Sequence, residues 1–251
     1  MTPLEPNEHS QLARPQGKRL SSHGNPKFKT WQLQGDIQMG TFWYCLMRRI
    51  FHVTVSTYGG VRVFNRCYEP TEGGVLYISN HQSFLDPILM SYALKRPMNY
   101  MARDTLFGSI FGPMIRTVNA FPVKRGTADT GALKEAMRRI KKNGQVVLFA
   151  EGTRTKDGRI APLLPGAMLL AQRAAQWTVP VVIDGATECW PRWQPLPGPG
   201  SIVVQYGPPI PRQEAAAMKP DELAANLRRQ MIAIQAEIRR RVGRPPLHYD
   251  E

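Results

Sequence analysis

Short apolar runs alternate with longer amphipathic segments through most of this 251-residue chain, and this alternation constrains the fold more than any other feature. Runs rich in Val, Ile and aromatic residues predict strands. The predicted strands are residues 61–64, 75–79, 119–123, 146–149, 179–183 and 202–206. The predicted helices are residues 87–94, 129–143, 167–175 and a final helix that begins at 220. Strands that alternate with helices are typical of an α/β layered domain, which we expect here.

Two of the predicted helices have a clear apolar face. In the earlier one, Asp129 is placed to cap the start and Gly144 to cap the end. Its inward side chains are predicted to be Leu133, Ala136, Met137 and Ile140. In the final helix they are predicted to be Leu223, Leu227, Met231, Ile234 and Ile238. The arginines at 239–241 suit the negative end of that helix's dipole.

The first sixty residues differ in character from the rest. Residues 1–30 are rich in Pro, Ser, Asn, Gln and charge, which indicates a flexible polar leader. Within 31–57, apolar and aromatic residues recur every three or four positions around Arg48, Arg49 and His52, which predicts a basic amphipathic helix. Such a helix either packs on its own domain or docks on a membrane surface. No apolar run approaches the roughly 20 residues of a membrane span, so we expect any membrane contact to be peripheral.

The formal net charge of +14 is larger than solubility requires. It predicts an anionic partner, such as an anionic membrane surface, a phosphorylated substrate or nucleic acid. Nucleic acid is not expected, because no helix-turn-helix, zinc or RNA-binding pattern is present. Three widely spaced cysteines, Cys45, Cys67 and Cys189, form no metal or CxxC spacing and indicate a reducing compartment.

A histidine and an aspartate five positions apart follow the predicted strand 75–79, in the sequence Asn80-His81-Gln82-Ser83-Phe84-Leu85-Asp86. Histidine suits removal of a proton from an attacking hydroxyl, and a carboxylate can fix its orientation and tautomer. On one regular helix the two side chains would diverge by about 140°. We therefore expect His81 in the strand-to-helix turn and Asp86 near the first helical turn. The alternative is that Asp86 only caps the helix and His81 is an ordinary loop histidine.

A carboxylate and a guanidinium flank a glycine directly after the strand 146–149, in the sequence Glu151-Gly152-Thr153-Arg154. Ligands of α/β sheets gather beyond the carboxyl ends of strands. Arg154 is suited to bind phosphate with two parallel hydrogen bonds, and Glu151 to accept from a substrate hydroxyl or to orient an arginine. The alternative is a surface turn with an ordinary Glu–Arg pair.

Two adjacent cations, Lys124 and Arg125, follow the extended segment 119–123 and precede a glycine and a helix. Backbone N–H groups at a helix start and nearby cations together favour an anion site. A Lys-Arg pair is also common on an ordinary solvated surface.

Taken together, Asn-His-x4-Asp, Phe-Pro-x-x-Arg and Phe-x-Glu-Gly-Thr-Arg, in that order, resemble the glycerolipid acyltransferases, especially the 1-acylglycerol-3-phosphate acyltransferases. The resemblance runs from about residue 42 to residue 211, with Glu151 lying 70 positions after His81. It implies an αβα layered domain with a central mixed, mostly parallel sheet. Within that fold, residues 61–243 would form the acyltransferase domain, 31–60 a membrane-docking helical segment and 244–251 a tail.

The resemblance also implies the chemistry and its participants. It implies transfer of a fatty acyl group from acyl-CoA or acyl carrier protein to a lysophospholipid hydroxyl, in phospholipid biosynthesis and at the cytoplasmic face of a membrane. It implies that His81 is the base, Asp86 its partner, and Arg125 a ligand of the acceptor's phosphate. The remaining substrate-binding candidates are Lys124, Glu151, Gly152, Thr153 and Arg154. No metal or prosthetic cofactor is expected.

Some positions depart from the pattern of that family. Ala150 stands where proline is usual, and Pro180 is a single proline where two are common. Residues 103–104 match a Lys-x-Glu pattern only loosely. Leu164 occupies a region where many members have a lysine shortly before the residue that corresponds to Gly166. These departures leave the reaction class intact but weaken the prediction that lysophosphatidate itself is the acceptor.

Three other functions are consistent with parts of the sequence. The chain could be an acyltransferase of the same family that acts on a different lysolipid. The charge and the basic amphipathic segment also fit a non-catalytic module that binds anionic membranes. A thioesterase using water is conceivable, although no Gly-x-Ser-x-Gly nucleophile elbow is present.

Overall fold

The computed structural model describes Leu46, Arg49 and Val53 and then residues 60–108, 112, 115, 119–124, 129–191, 193–194 and 196–249. The chain divides into two units, Met1–Asp36 and Ile37–Glu251, and every described residue belongs to the second unit. The predicted leader at 1–30 lies outside the described residues. The predicted helix at 31–57 does too, apart from its three described residues, which are helical.

One mixed sheet organises the described residues. Its strands are β1 (Val61–Phe64), β2 (Val75–Ser79), β3 (Met98–Arg103), β4 (Ala120–Val123), β5 (Gln145–Phe149), β6 (Trp177–Asp184), β7 (Ile202–Tyr206) and β8 (Ile210–Pro211). The order across the sheet is β1-β7-β6-β2-β5-β3-β4, and β8 pairs with β6. Strands β2, β3, β4, β5 and β6 run parallel, whereas β7 and β8 pair antiparallel with β6. The expected mixed, mostly parallel sheet is therefore confirmed.

Helices cover both faces of this sheet. They are α1 (Asp86–Ala93), α2 (Asp104–Phe107), α3 (Thr130–Lys141), α4 (Pro165–Arg173), α5 (Ala186–Cys189), α6 (Arg212–Ala217) and α7 (Pro220–Arg241). One apolar cluster joins α3, α4 and α7 to side chains such as Leu76 and Ile78 of β2. A separate cluster joins α1 to the alternate side chains Val75 and Tyr77 of the same strand. Because successive strand side chains point to opposite faces, β2 is buried on both sides and reads as a continuous apolar run.

The ends of the predicted helix at 129–143 differ in one detail from the expectation. Asp129 caps its start as predicted, by accepting a hydrogen bond from the backbone N–H of Ala132 at 2.9 Å. The helix ends at Lys141, however, and the residue with left-handed backbone geometry is Asn143, with φ of 60°, rather than Gly144. Gly144 is required for space, since a Cβ there would lie 2.7 Å from the carbonyl oxygen of Arg139.

Strand β3 was not predicted. Its sequence, Met-Asn-Tyr-Met-Ala-Arg, buries only Met98 and Tyr100. Asn99 and Arg103 interrupt the apolar signal, and a proline precedes the strand. The strand forms because its backbone pairs with β4 and β5 on either side. The remaining predicted strands and helices are confirmed, with ends that shift by one or two residues.

Candidate active site

The two main motifs meet because β2 and β5 are parallel neighbours whose carboxyl ends coincide. Ser79, the last residue of β2, pairs in register with Phe149, the last residue of β5. The chain segments that leave these strands carry His81 and Glu151, respectively. Residues 70 positions apart in sequence therefore lie side by side at one edge of the sheet, which is where α/β proteins bind ligands.

His81 and Asp86 form the close pair that their spacing suggested. Nδ1 of His81 lies 2.6 Å from Oδ2 of Asp86. Asp86 is the first residue of α1 and is completely buried, while the histidine side chain is 12% exposed. The same Oδ2 accepts hydrogen bonds from the backbone N–H groups of Gln82 at 2.6 Å and Ser83 at 2.9 Å. The carboxylate is thus fixed by the turn that leads from His81 into α1, and the predicted geometry is confirmed.

The imidazole is held on its flat side as well as at its edge. The ring of Phe149 stacks on the ring of His81 with centroids 4.4 Å apart and planes 19° apart. With Nδ1 bonded to Asp86, the remaining ring nitrogen, Nε2, is the one that could receive a proton from a substrate. A ring fixed in this way needs little reorganisation before reaction.

Glu151 connects the two motifs through the backbone. Its Oε1 accepts from the N–H of His81 at 2.7 Å, and its Oε2 accepts from the N–H of Ala161 at 2.9 Å. In the opposite direction, the carbonyl oxygen of His81 accepts from the N–H of Thr155 at 2.8 Å. Burial raises the pKa of Glu151 to about 7, and the two backbone donors oppose that rise. The hydrogen bonds seen for Glu151 are therefore to the backbone, and a substrate-facing role for it stays a prediction.

A large cavity opens beside the histidine. Its volume is about 970 Å³, at the upper end of the range for ligand pockets. Its apolar walls come from α1, β3, α2, α3, β5 and α4 and from the residue before α4, including Ile88, Tyr100, Met101, Leu106, Leu133, Leu148, Leu164, Leu169 and Leu170. Its polar and charged lining includes His81, Ser83, Ser91, Arg103, Lys124, Asp129 and Arg154. A long apolar chain with a polar head fits this distribution.

Arg154 stands at the wall of this cavity. Its guanidinium carbon lies 3.6 Å from the ring centroid of Phe84, an arrangement in which the cation is attracted to the aromatic face. Phe84 also contacts the ring of Trp190, with centroids 5.3 Å apart. Arg154 is therefore positioned by an aromatic pair that the sequence motif did not indicate.

The other predicted substrate-binding residues are only partly brought together. Lys124 and Gly152 line the same cavity as His81, whereas Thr153 lines a neighbouring one. Gly152 has φ of +72°, a conformation that glycine adopts without strain. The backbone N–H of Lys124 donates to Oδ2 of the helix cap Asp129 at 2.8 Å. Arg125 lies outside the described residues.

Comparison with known proteins shows which family the chain belongs to. The family model described as "Acyltransferase" matches residues 60–184. The 1-acyl-sn-glycerol-3-phosphate acyltransferase of Bacillus subtilis is 30% identical over 135 residues, which make up 53% of this chain and 67% of that protein. The chain belongs to the acyltransferase family. The geometry of His81 and Asp86 is consistent with the His-x4-Asp motif quoted above.

Two further relatives show how far the likeness extends. A chloroplastic 1-acyl-sn-glycerol-3-phosphate acyltransferase of Brassica napus is 33% identical over 119 residues, which span 46% of this chain and only 34% of that protein. The crystal structure of the Thermotoga maritima 1-acyl-sn-glycerophosphate acyltransferase PlsC matches with a TM-score of 0.68 and 19% identity. That match covers 82% of this chain and 84% of the other, and it supports the fold.

Two residues that shape the candidate site were missed by sequence reasoning. Asn80 joins the turn to β6, since its side chain donates to the carbonyl of Ile183 and accepts from the same residue's N–H, both at 2.8 Å. Oε1 of Gln82 accepts from the N–H of Ala186 at 3.1 Å. Their place on either side of His81 is the one signal that could have drawn attention to them.

The described part of the chain lacks two kinds of feature. No group of three or more His, Cys, Asp or Glu side chains is placed to hold a metal ion there. No helix among the same residues is long and apolar enough to cross a membrane.

Proposed function

We propose that this acyltransferase moves a fatty acyl group from acyl-CoA or acyl carrier protein to the hydroxyl of a lysophospholipid such as 1-acylglycerol-3-phosphate. The observation that carries the proposal is the 2.6 Å contact between His81 and the buried Asp86 at the wall of a large apolar cavity. Such a pair supplies a base of fixed orientation, and the cavity offers space for an acyl chain.

In the proposed reaction, Nε2 of His81 removes the proton from the acceptor hydroxyl as its oxygen attacks the thioester carbonyl. A carbon–oxygen bond forms, the carbon–sulfur bond then breaks, and the departing thiolate takes the proton back from the imidazolium. Asp86 holds the neutral ring with its proton on Nδ1 and stabilises the imidazolium between the two steps. The histidine ends in its starting state, so the cycle needs no external acid or base.

The acceptor's phosphate would be bound by cations near the hydroxyl. Lys124 and Arg154 line the cavity that contains His81, and the family resemblance adds Arg125. Arginine can bind a phosphate with two parallel hydrogen bonds. Gly152 would let the substrate approach the backbone closely, and Glu151 and Thr153 remain proposed members of the substrate site.

A different lysolipid is the second candidate, and Leu164 favours it. Leu164 lines the cavity and is 54% exposed, so it presents an apolar surface where many family members have a cation. An acceptor with a less charged or bulkier head group would suit such a wall. The reaction steps would be unchanged.

The proposal extends to domain organisation and location. Residues 61–243 would form the catalytic domain, and 31–60 would dock it on an anionic membrane from which the acceptor is taken. Sedimentation with anionic vesicles should be salt-sensitive, because surface charges are screened within about 10 Å at 0.1 M salt. Deletion of residues 31–57 should abolish sedimentation, and unchanged sedimentation would contradict the docking role.

A donor-by-acceptor panel tests the reaction itself. Purified protein would be incubated with acyl-CoA or acyl carrier protein and with lysophosphatidate, other lysophospholipids or no acceptor, and the products identified by mass. Diacyl product that requires an acceptor supports the proposal. Free fatty acid formed equally without acceptor would indicate a thioesterase, and vesicle binding without turnover of any donor would indicate a non-catalytic module.

A further inference from the structure

A second cavity is lined by the segment that carries Arg154. Its volume is about 490 Å³. It is lined by Thr153, Arg154, Thr155, Lys156, Asp157, Arg159, Ile160, Ala161, Arg228 and Tyr249. Arg154 lines both this cavity and the one that contains His81, so the two cavities are neighbours that share a cation.

Positive charge dominates the described lining of this cavity. Arg154, Lys156, Arg159 and Arg228 face it, against the single carboxylate of Asp157. That carboxylate accepts from the hydroxyl of Thr155 and from the backbone N–H of Arg159, each at 3.0 Å, and its Oδ2 lies 3.5 Å from Nε of Arg159, so it offsets one of the four positive charges. A concave surface with this excess of cations concentrates anions.

The walls of the cavity are held by the same hydrogen bonds that hold the catalytic turn. The N–H of Thr155 donates to the carbonyl of His81, and the N–H of Ala161 donates to Glu151. Between them, the N–H of Ile160 donates to the hydroxyl of Tyr249 at 2.9 Å, and Nε of Arg228 donates to the carbonyl of Ile160 at 3.2 Å. The cavity therefore has a fixed position relative to His81.

We propose that this second cavity binds the phosphates of the acyl donor, specifically the 3′-phosphorylated ADP of coenzyme A. The inference rests on the proposed acyl transfer. It assigns the phosphates of the donor to a site separate from the cavity that contains His81. That group carries several phosphate charges, which could pair with the four cations of the cavity. A single phosphate could contact only some of these cations.

The covalent structures of the two substrates decide which of them reaches the second cavity. In lysophosphatidate, the phosphate is only a few bonds from the attacking hydroxyl, so it must lie in the cavity that contains His81. In acyl-CoA, the long pantetheine arm separates the thioester from the nucleotide phosphates. The donor can therefore place its thioester beside His81 while its phosphates lie beyond Arg154.

Binding measurements on the full chain test the proposal separately from turnover. The ligands are coenzyme A and 3′-dephospho-coenzyme A, measured by titration calorimetry with wild type and with the double variant K156A/R159A. We expect the variant to weaken coenzyme A binding about tenfold, the scale of two partly exposed ion pairs, and dephospho-coenzyme A binding less. The matched control R173A/K219A removes two exposed cations that line neither described cavity and should leave both affinities unchanged.

Three results would overturn the proposal. They are equal weakening in the control, weakening of lysophosphatidate binding in place of coenzyme A binding, and no coenzyme A binding by the wild type. In the last case, transfer from acyl carrier protein would still be measurable, and the proposed reaction would stand. Conversely, coenzyme A binding that depends on Lys156 and Arg159 without any acyl transfer would support this cavity and contradict the proposed reaction.

Discussion

The backbone N–H of His81 donates a 2.7 Å hydrogen bond to Oε1 of Glu151, a residue 70 positions later in the chain. Because Thr155 donates back to the carbonyl of His81, the two turns that carry the motifs are joined through both backbone groups of one residue. The position of the histidine is therefore set by a carboxylate that need not touch the substrate. This relationship makes Glu151 a positioning residue as well as a candidate substrate ligand.

Replacing Glu151 with glutamine should destabilise the protein and change its pH dependence. Glutamine has one oxygen, so either His81 or Ala161 loses its acceptor, at a cost of about 1–3 kcal/mol. Burial raises the pKa of Glu151 to about 7, above its unfolded value. Its protonation therefore stabilises the fold fully below about pH 4.5, and that contribution is lost as pH rises through about 7. The wild type should therefore exceed E151Q in free energy of unfolding by a margin that shrinks from pH 5 to pH 8.

Urea unfolding of both proteins at several pH values measures that difference. The exposed carboxylate of Glu222 provides a control, because E222Q should parallel the wild type throughout. A difference between wild type and E151Q that does not vary with pH would contradict the assigned titration.

Replacing Asp86 with asparagine should lower kcat while preserving much of the turn. An amide oxygen in the place of Oδ2 can still accept from Gln82, Ser83 and Nδ1 of His81, but it carries no charge to stabilise the imidazolium. The amide N–H₂ would lie at the buried position of Oδ1, which has no hydrogen-bond partner among the described residues. We expect kcat to fall by about 10²–10⁴-fold. Steady-state kinetics check this, with exposed Asp221→Asn as the control; unchanged kcat in D86N would refute the orienting role.

Replacing Arg125 with alanine should weaken recognition of a phosphorylated acceptor, if the family motif carries over to this chain. The loss in kcat/KM should correspond to about 1.5–3 kcal/mol, the scale of a hydrogen bond to a charged group. Kinetics with lysophosphatidate and with a neutral lysolipid measure it. An equal loss for both acceptors would argue against a phosphate contact.

Replacing Asp184 with alanine should destabilise the fold through the C-terminal segment. Asp184 is fully buried and accepts from Nη1 of Arg239 at 2.9 Å and from Nη1 of Arg244. Removing the carboxylate leaves a nearly buried arginine without its main counter-charge, which costs about 3–5 kcal/mol. Urea unfolding measures this, and R138A, which removes an exposed ion pair, should cost less than about 1 kcal/mol. A similar effect of both variants would show that the buried cluster is not structural.

The sequence allowed the His81–Asp86 pair to be predicted because the constraint is local. Their spacing excludes one regular helix, and the proline in the first turn of α1 places the start of that helix. The hydrogen bond from the N–H of His81 to Glu151 could not be predicted in the same way, since it depends on β2 and β5 becoming neighbours in register. Strand β3 escaped prediction for a related reason: tertiary pairing, rather than its own polar-interrupted sequence, makes it a strand.

The arginine and lysine residues of the two cavities were also predictable only where the signal is local in sequence. The Glu-Gly-Thr-Arg motif indicated an anion site near Arg154, but its contact with the ring of Phe84 depends on two segments that meet only in the fold. The basic cavity beyond Arg154 also requires Arg228 of α7 and Tyr249, far along the chain. Neither residue carries a motif that would reveal this role.

The most direct test of the account is the acyl-transfer rate of His81→Ala beside that of His248→Ala, an exposed histidine outside the site. Both variants would be assayed with the best donor and acceptor from the panel, and their folds compared by circular dichroism and urea unfolding. The account predicts that H81A remains folded and loses at least about a hundredfold in kcat, while H248A retains wild-type activity. Full activity in a folded H81A would contradict the proposed mechanism.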